Sequence, residues 1–511
     1  MHICRKWRSI VFASQRSLHL QLFCTPGTPV PKALSFWPPL PIVVEYGGSP
    51  SSSPPAPEDE DNIVAALKQS DRINFISLTV IKPLPEKLSA IERPLSELEN
   101  VVLMCSDDVP PTLSRKLSST FRWGPSLRNL HLTRVIIPPL LRFLCLSTGL
   151  VDLQLHEVSD VGYIAPEAFA NVLSMIPHLR TLSLHFLSST PTQTSVTCLR
   201  QSNALRVTLL AIRKLKYRGT SEYLDSLAAR IDAPLLGNID ITFFSQHAPM
   251  VPLQLGQFIN RIAMHKSHRQ VDILFSVNAM SISLTQPESS TCLELHVSCE
   301  SFSQQLSYMT RIFCGSYRIP FGIEHLRIYA TRPKGGHDYS DCEGWRKLLR
   351  AFRGTKWAHV ARGLSTDVLL ALEHSEMRYE TLLPALHKFC IQEPDPTAPL
   401  QKTVLSFMHS RLFSGHMIAV EYERSRINEP HRTGMAFSQC QSLLLTTSTN
   451  VLGAGFFCRD QQVMIEMLSA DILLNIFRHY LYHSPQIWPK LTHVCRSWRQ
   501  IVFRYPLGLG L

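Results

Sequence analysis

Residues 127–132 read Leu-Arg-Asn-Leu-His-Leu, and residues 150–155 read Leu-Val-Asp-Leu-Gln-Leu. In each, the last two leucines are two residues apart, as on one face of a β-strand, and the first leucine leads the chain into that strand. The same spacing returns at Leu179/Leu182/Leu184 and Leu236/Ile239/Ile241. Looser copies occur at Ile73/Ile76/Leu78, Leu98/Val101/Leu103, Ile212/Leu215/Tyr217, Ile323/Leu326/Ile328 and Leu386/Phe389/Ile391.

The starts at 73, 98, 127, 150, 179, 212 and 236 are 23 to 33 residues apart. This period, with this pattern, is the sequence mark of a leucine-rich repeat array, in which each strand lines the inner face and a return segment closes the back. Pro166–Met175 and Tyr223–Ala229 are suited to be helical returns. Between 241 and 323 the trace is faint, with Val271/Ile273 and Leu295/Val297 as candidates. One repeat cannot bury its apolar side alone, so the repeats must stack.

If the apolar residues face the core, the alternate ones face outward. These are Asn129, His131, Thr133; Asp152, Gln154, His156; Thr181, Ser183, His185; and Lys214, Lys216, Arg218. The candidates for contact with a partner are His131, Thr133, His156, His185, Lys214, Lys216 and Arg218. Their cationic and imidazole groups suit an acidic or phosphorylated partner. Merely solvated side chains would read the same way.

The two ends of the chain share a motif. Residues 2–12 and 493–503 agree at eight of eleven positions, including Cys, Trp and Arg, at an offset of 491. The spacing is helical, with Val494, Cys495, Trp498, Ile501 and Val502 on one face and Arg496, Arg499 and Gln500 largely on the other. Upstream, Leu468, Ile472, Leu473, Ile476, Phe477, Tyr480 and Leu481 mark a second amphipathic helix, with Ser469 as N-cap and Asp471 in its first turn. Two prolines within 483–490 separate the helices.

Leu-Ser-Ala-Asp-Ile-Leu-Leu-Asn-Ile-Phe at 468–477, followed by His-Val-Cys-Arg-Ser-Trp-Arg at 493–499, resembles an F-box. Ser469 stands where that family usually has proline. The resemblance implies a small all-α unit of three helices whose apolar face docks on the Skp-type adaptor of a Skp, Cullin and F-box ubiquitin ligase. Leu468, Ile472, Leu473, Ile476, Phe477, Leu481, Val494, Cys495, Trp498 and Ile501 would make that contact. The remainder is similar to fungal F-box proteins with irregular leucine-rich repeats, through Trp-Pro-Pro-Leu-Pro-Ile at 37–42, Asp-Asn-Ile-Val-Ala-Ala-Leu at 61–67 and Ile-Asp-Ala-Pro-Leu-Leu at 231–236.

The expected fold class is therefore α/β: a leucine-rich-repeat solenoid, or horseshoe, with a C-terminal F-box unit and a partial F-box helix at the N-terminus. The expected organisation is a last F-box helix in 1–25, repeats over 26–430 with a disordered acidic loop at 47–61, a linker at 431–462 and the F-box at 463–511. Family members usually carry the F-box first, so a truncated member fused to the start of another is one account of this order. The first 44 residues contain no Asp or Glu, a composition shared with mitochondrial presequences.

Lys and Arg outnumber Asp and Glu by 51 to 40, but the charge is spread out, which favours a protein partner over nucleic acid. Hydrophobic residues at 45% exclude wholesale disorder. Thirteen cysteines without a CxxC pair fit reduced thiols in cytoplasm or nucleus. No uninterrupted apolar run is long enough to span a membrane. The GxxxxGK, GxGxxG, HExxH and GxSxG signatures are absent, so no catalytic residue, metal site or cofactor is expected. The polar segment 335–343 mixes hard and soft ligands without a metal spacing and reads as a loop between repeats. The expected activity is that of a substrate-recognition adaptor, and the alternative is a repeat scaffold without ligase coupling.

Overall fold

The computed structural model describes residues 20–23, 30–36, 40–46, 57–80, 95–105, 124–135, 144–187, 206–244, 252–262, 268–286, 291–299, 301–316, 322–331, 341–361, 363–376, 381–392 and 398–422. The chain divides into two units, Met1–Arg432 and Thr433–Leu511, and the described residues lie in the first. Both copies of the end motif, the F-box-like segment and the 431–462 stretch fall outside the described residues.

Among the described residues the first unit is mixed α/β and is built on one sixteen-stranded sheet. Its strands begin with β1 (Leu20–Phe23), β2 (Ile42–Tyr46), β3 (Ile73–Val80), β4 (Asn100–Cys105), β5 (Asn129–Thr133), β6 (Asp152–Val158) and β7 (Thr181–Phe186). A two-residue strand β8 (Val207–Thr208) comes next, then β9 (Lys214–Gly219), a second short strand β10 (Ile231–Asp232) and β11 (Asn238–Phe243). β8 and β10 pair only with each other, outside the main sheet. After them come β12 (Gln270–Phe275), β13 (Ala279–Thr285), β14 (Cys292–Ser298), β15 (His325–Ala330), β16 (Trp357–Ala361), β17 (Lys388–Gln392) and β18 (Ala419–Tyr422).

Every leucine-pattern triplet quoted above leads into or lies on one of these strands with its apolar side chains buried. Most alternate positions stay partly exposed, giving patterns such as buried at Leu130 and Leu132 with Asn129, His131 and Thr133 half-exposed; Ser183 and Cys390 are buried exceptions. A second regularity marks the repeat. At the residue that opens each strand, the backbone N–H donates to its counterpart one strand earlier: Arg128 to Glu99, Val151 to Arg128, Arg180 to Val151 and Arg213 to Arg180, at 2.7–2.8 Å. The series resumes as Glu324 to Arg269, Lys356 to Glu324 and His387 to Lys356, at 2.8–2.9 Å. Backbone amides at each corner are thereby satisfied in the same way from one turn to the next.

The faint stretch of sequence after 241 has a topological cause. In space the order runs β11, β14, β13, β12, β15, with β13 antiparallel to both neighbours and every other pair parallel. The chain leaves β11, skips two places along the sheet to reach β12 in the third, and returns by two hairpins through β13 to β14. This meander interrupts the repeat and replaces two helical returns by short turns, so the leucine period cannot persist there.

Helices back the apolar face. They are α1 (Val30–Phe36), α2 (Pro57–Leu67), α3 (Pro166–Ser174), α4 (Ser221–Ala228), α5 (Leu253–Arg261), α6 (Phe302–Arg311), α7 (Cys342–Leu349), α8 (Ser365–Glu376) and α9 (Ala398–Phe413). From α3 onward, neighbours pack in sequence, with a π-turn at Ile312–Ser316 linking α5 and α6. Aromatic contacts tie helix to sheet: Tyr223 on α4 to Tyr217 on β9, Trp345 on α7 to Phe275 on β12, and Phe407 on α9 to Phe389 on β17. The helix starts follow local chemistry, since the side chains of Thr220, Ser301 and Asp341 accept from the backbone N–H of Tyr223, Gln304 and Gly344.

Three expectations are corrected. Among the described residues the sheet begins at Leu20, within 1–25, because Leu20–Phe23 pairs with Ile42–Glu45. Residues 57–61 of the expected acidic loop open α2. Asp341 to Glu343 cap and open α7 rather than forming a loop. In the acid-free N-terminal stretch, Val30, Ile42 and Val44 are fully buried and belong to the core.

At one corner the fold leaves no room for a side chain. A Cβ on Gly124 would lie 2.8 Å from both Cα and the carbonyl oxygen of Ser96, and backbone cannot swing aside as a side chain can. Gly124→Ala is expected to destabilise the array by about 1–3 kcal/mol, as overpacking does. A thermal melt checks it, and an unchanged midpoint would refute the tight corner.

Candidate binding face

The sheet face opposite the leucines carries polar side chains in rows that follow the register. One row is Asn129, Asp152, Thr181, Lys214, Asn238 and Cys292; the next is His131, Gln154, Ser183, Lys216, Asp240 and Glu294. In the third, Thr133 pairs with His156, and His185 pairs with Arg218, which pairs with Thr242 and then His296.

Between His156 and His185 the register shifts, because Glu157 takes a φ of 53° and β6 bulges. Arg134, itself at a φ of 59°, forms an ion pair with Glu157 and braces the bulge. The imidazoles of His156 and His185 nevertheless stack, with ring centroids 4.3 Å apart and planes 3° from parallel. His131 meets His156 edge-on at 4.7 Å.

A line of polar contacts joins the three rings. Thr133 Oγ1 is 3.3 Å from His131 Nε2, which is 3.2 Å from His156 Nδ1. His156 Nε2 is 3.0 Å from Ser183 Oγ, which is 3.3 Å from His185 Nε2. One proton per ring satisfies the three contacts from His185 to His131: His185 Nε2–H donates to Ser183, Ser183 O–H to His156 Nε2, and His156 Nδ1–H to His131 Nε2. A second proton on His156 removes the acceptor that Ser183 uses. Ser183 is 2% exposed, roofed by the rings, so its hydroxyl has little water to turn to.

Electrostatics reinforce this neutral state. Burial, then the neighbouring His185, His131 and Lys216, bring His156 down from 6.5 to about 3. Burial, then Arg218, Lys216 and His131, bring His185 down to about 4. Burial alone lowers His131.

All seven candidate contact residues therefore occupy the same face of three neighbouring strands and β5. Lys214 and Arg218 are exposed, and Lys216 is half-exposed. The ridge is not uniformly basic. Lys216 Nζ lies 3.9 Å from Asp240 Oδ2 on β11, and Arg218 packs over the Phe244 ring at 5.7 Å. Beyond them, Asp240, Glu294 and His296 gather on β11 and β14. Reading alternate positions around Leu293, Leu295 and Val297 would have found Glu294 and His296, but only the meander brings them beside Asp240.

A second polar cluster lies further along the face. Arg327 stacks over Trp357 at 5.4 Å, and His325, Tyr329 and His359 surround them with ring separations of 5.4–5.8 Å. Trp, Tyr and Arg are the residue types most often found at energetic centres of interfaces.

The described cysteines are all free. Among the described residues no helix is long and apolar enough to cross a membrane.

No protein-family model matches the chain, and no curated protein matches it. Among solved structures, the leucine-rich repeat-containing protein LegL7 from Legionella pneumophila aligns with 10% identity and a TM-score of 0.26, over 76% of this chain and 97% of that one. So distant a likeness adds nothing to what the sheet itself displays.

Proposed function

We propose that this chain is a non-enzymatic protein-recognition scaffold of the leucine-rich-repeat type, which holds an acidic or phosphorylated partner on the polar face of its sheet. The observation that supports it best is the alignment of His131, His156 and His185 with Lys214, Lys216 and Arg218 on one face, backed by a continuous apolar core. A stiff sheet presents such groups with little ordering cost on binding. The test is a panel of acidic and phosphorylated peptides against the full chain and a Lys214→Glu/Arg218→Glu variant. Retained peptides should bind the variant at least about tenfold more weakly, the scale of one lost charge-assisted contact. Equal binding to both would refute this face as the site.

A finer reading is favoured by sequence at the other end of the chain. The 468–477 and 493–499 segments resemble an F-box, so we propose further that the scaffold delivers its partner to a cullin-type ubiquitin ligase through a Skp-type subunit. Purified Skp-type subunit should be retained by the full chain and lost with Ile476→Asp or Trp498→Ala. Failure of the unaltered chain to retain it would leave the scaffold without ligase coupling.

A further inference from the structure

We propose that Asp240, Glu294 and His296 bind one divalent transition cation of the zinc class. The carboxylate oxygens and imidazole nitrogen of the three lie within 4.8 Å of one another, and His296 Nε2 is 3.9 Å from Glu294 Oε2. Ligands about 2.0–2.2 Å from a tetrahedral zinc ion stand about 3.3–3.6 Å apart, so modest side-chain rotation closes the site.

The scaffold for these donors is regular. Glu294 and His296 alternate along β14 on one face, and Asp240 stands directly opposite Glu294 on the parallel partner β11. Two hydrogen-bonded strands fix the Cα positions, leaving only side-chain torsions to adjust. Two carboxylates and an imidazole form a mixed, borderline donor set, which suits zinc or cobalt better than calcium or magnesium.

Lys216 Nζ, on the strand beyond Asp240, stands 3.9 Å from Asp240 Oδ2 and already supplies a positive charge there. A cation must compete with it, and so removal of the lysine charge should tighten binding.

The experiment titrates Zn²⁺ into the full chain by calorimetry and repeats it with Co²⁺ by absorbance. One equivalent should bind to the unaltered chain, and Asp240→Asn/His296→Gln should weaken that equivalent at least about tenfold. Lys216→Met should strengthen it, an effect that a purely structural polar ladder would not produce. Tetrahedral cobalt bands should appear and be lost in the double variant. Zinc binding of equal affinity in the unaltered chain and the double variant would place the ion on other side chains and overturn the site, as would absence of binding. Circular dichroism of each variant separates loss of ligand from loss of fold.

Discussion

Trp345→Ala is expected to cost about 3–5 kcal/mol, the usual range for deleting a buried aromatic side chain. Trp345 on α7 is fully buried and meets Phe275 of β12 at 5.7 Å and Phe302 of α6 at 6.1 Å. It therefore closes the seam where the antiparallel meander rejoins the helical returns. Collapse into the vacated space is resisted from both sides, because the strand is held by two sheet neighbours and the helix by α6 and α8. The measurement is the melting midpoint of the full chain, followed by circular dichroism. A fall of roughly 5–10 °C is expected, with Trp345→Phe losing much less. An unchanged midpoint would show that this seam does not belong to the cooperative core.

Acid should weaken the array through the histidine line. His156 and His185 bind a proton far less readily in the folded chain than in the unfolded one, where both return to about 6.5. As pH falls below that value, the unfolded chain takes up protons that the folded chain refuses, so the equilibrium moves toward unfolding. The stabilisation is complete above pH 6.5 and is lost as pH falls toward the folded values near 4 and 3. At pH 5 each ring accounts for at most about 2 kcal/mol, since only the distance below the unfolded value counts. A His156→Gln/His185→Gln variant keeps polar side chains but cannot titrate. Between pH 7.5 and 5 the unaltered chain should lose about 2–4 kcal/mol more than the variant. Equal losses would show that the rings are already protonated when folded or that other groups govern the acid response.

This acid response bears on binding as well. An anionic partner seated over Lys214, Arg218 and His185 would raise the imidazole affinity for protons, so mild acid should strengthen that contact while it weakens the fold. The two effects oppose each other, and peptide binding and stability should be measured at the same pH.

The amino-acid sequence by itself determined nine of the strands and their faces. The Leu-x-x-Leu-x-Leu spacing located β3, β4, β5, β6, β7, β9, β11, β15 and β17, because a two-residue side-chain period leaves few ways to bury those leucines. The same alternation placed His131, His156, His185, Lys214, Lys216 and Arg218 on the opposite face. Tertiary structure alone decided which strand lies beside which. Hydrogen bonding between strands is indifferent to distance along the chain, so nothing local announced that β14 would sit against β11, with β13 reversed and β12 two places further on. That long-range pairing sets Asp240 across from Glu294, and the bulge at Glu157 sets the rings of His156 and His185 face to face. Local periodicity fixes what each strand shows; the neighbours it shows it to depend on contacts formed far apart in sequence.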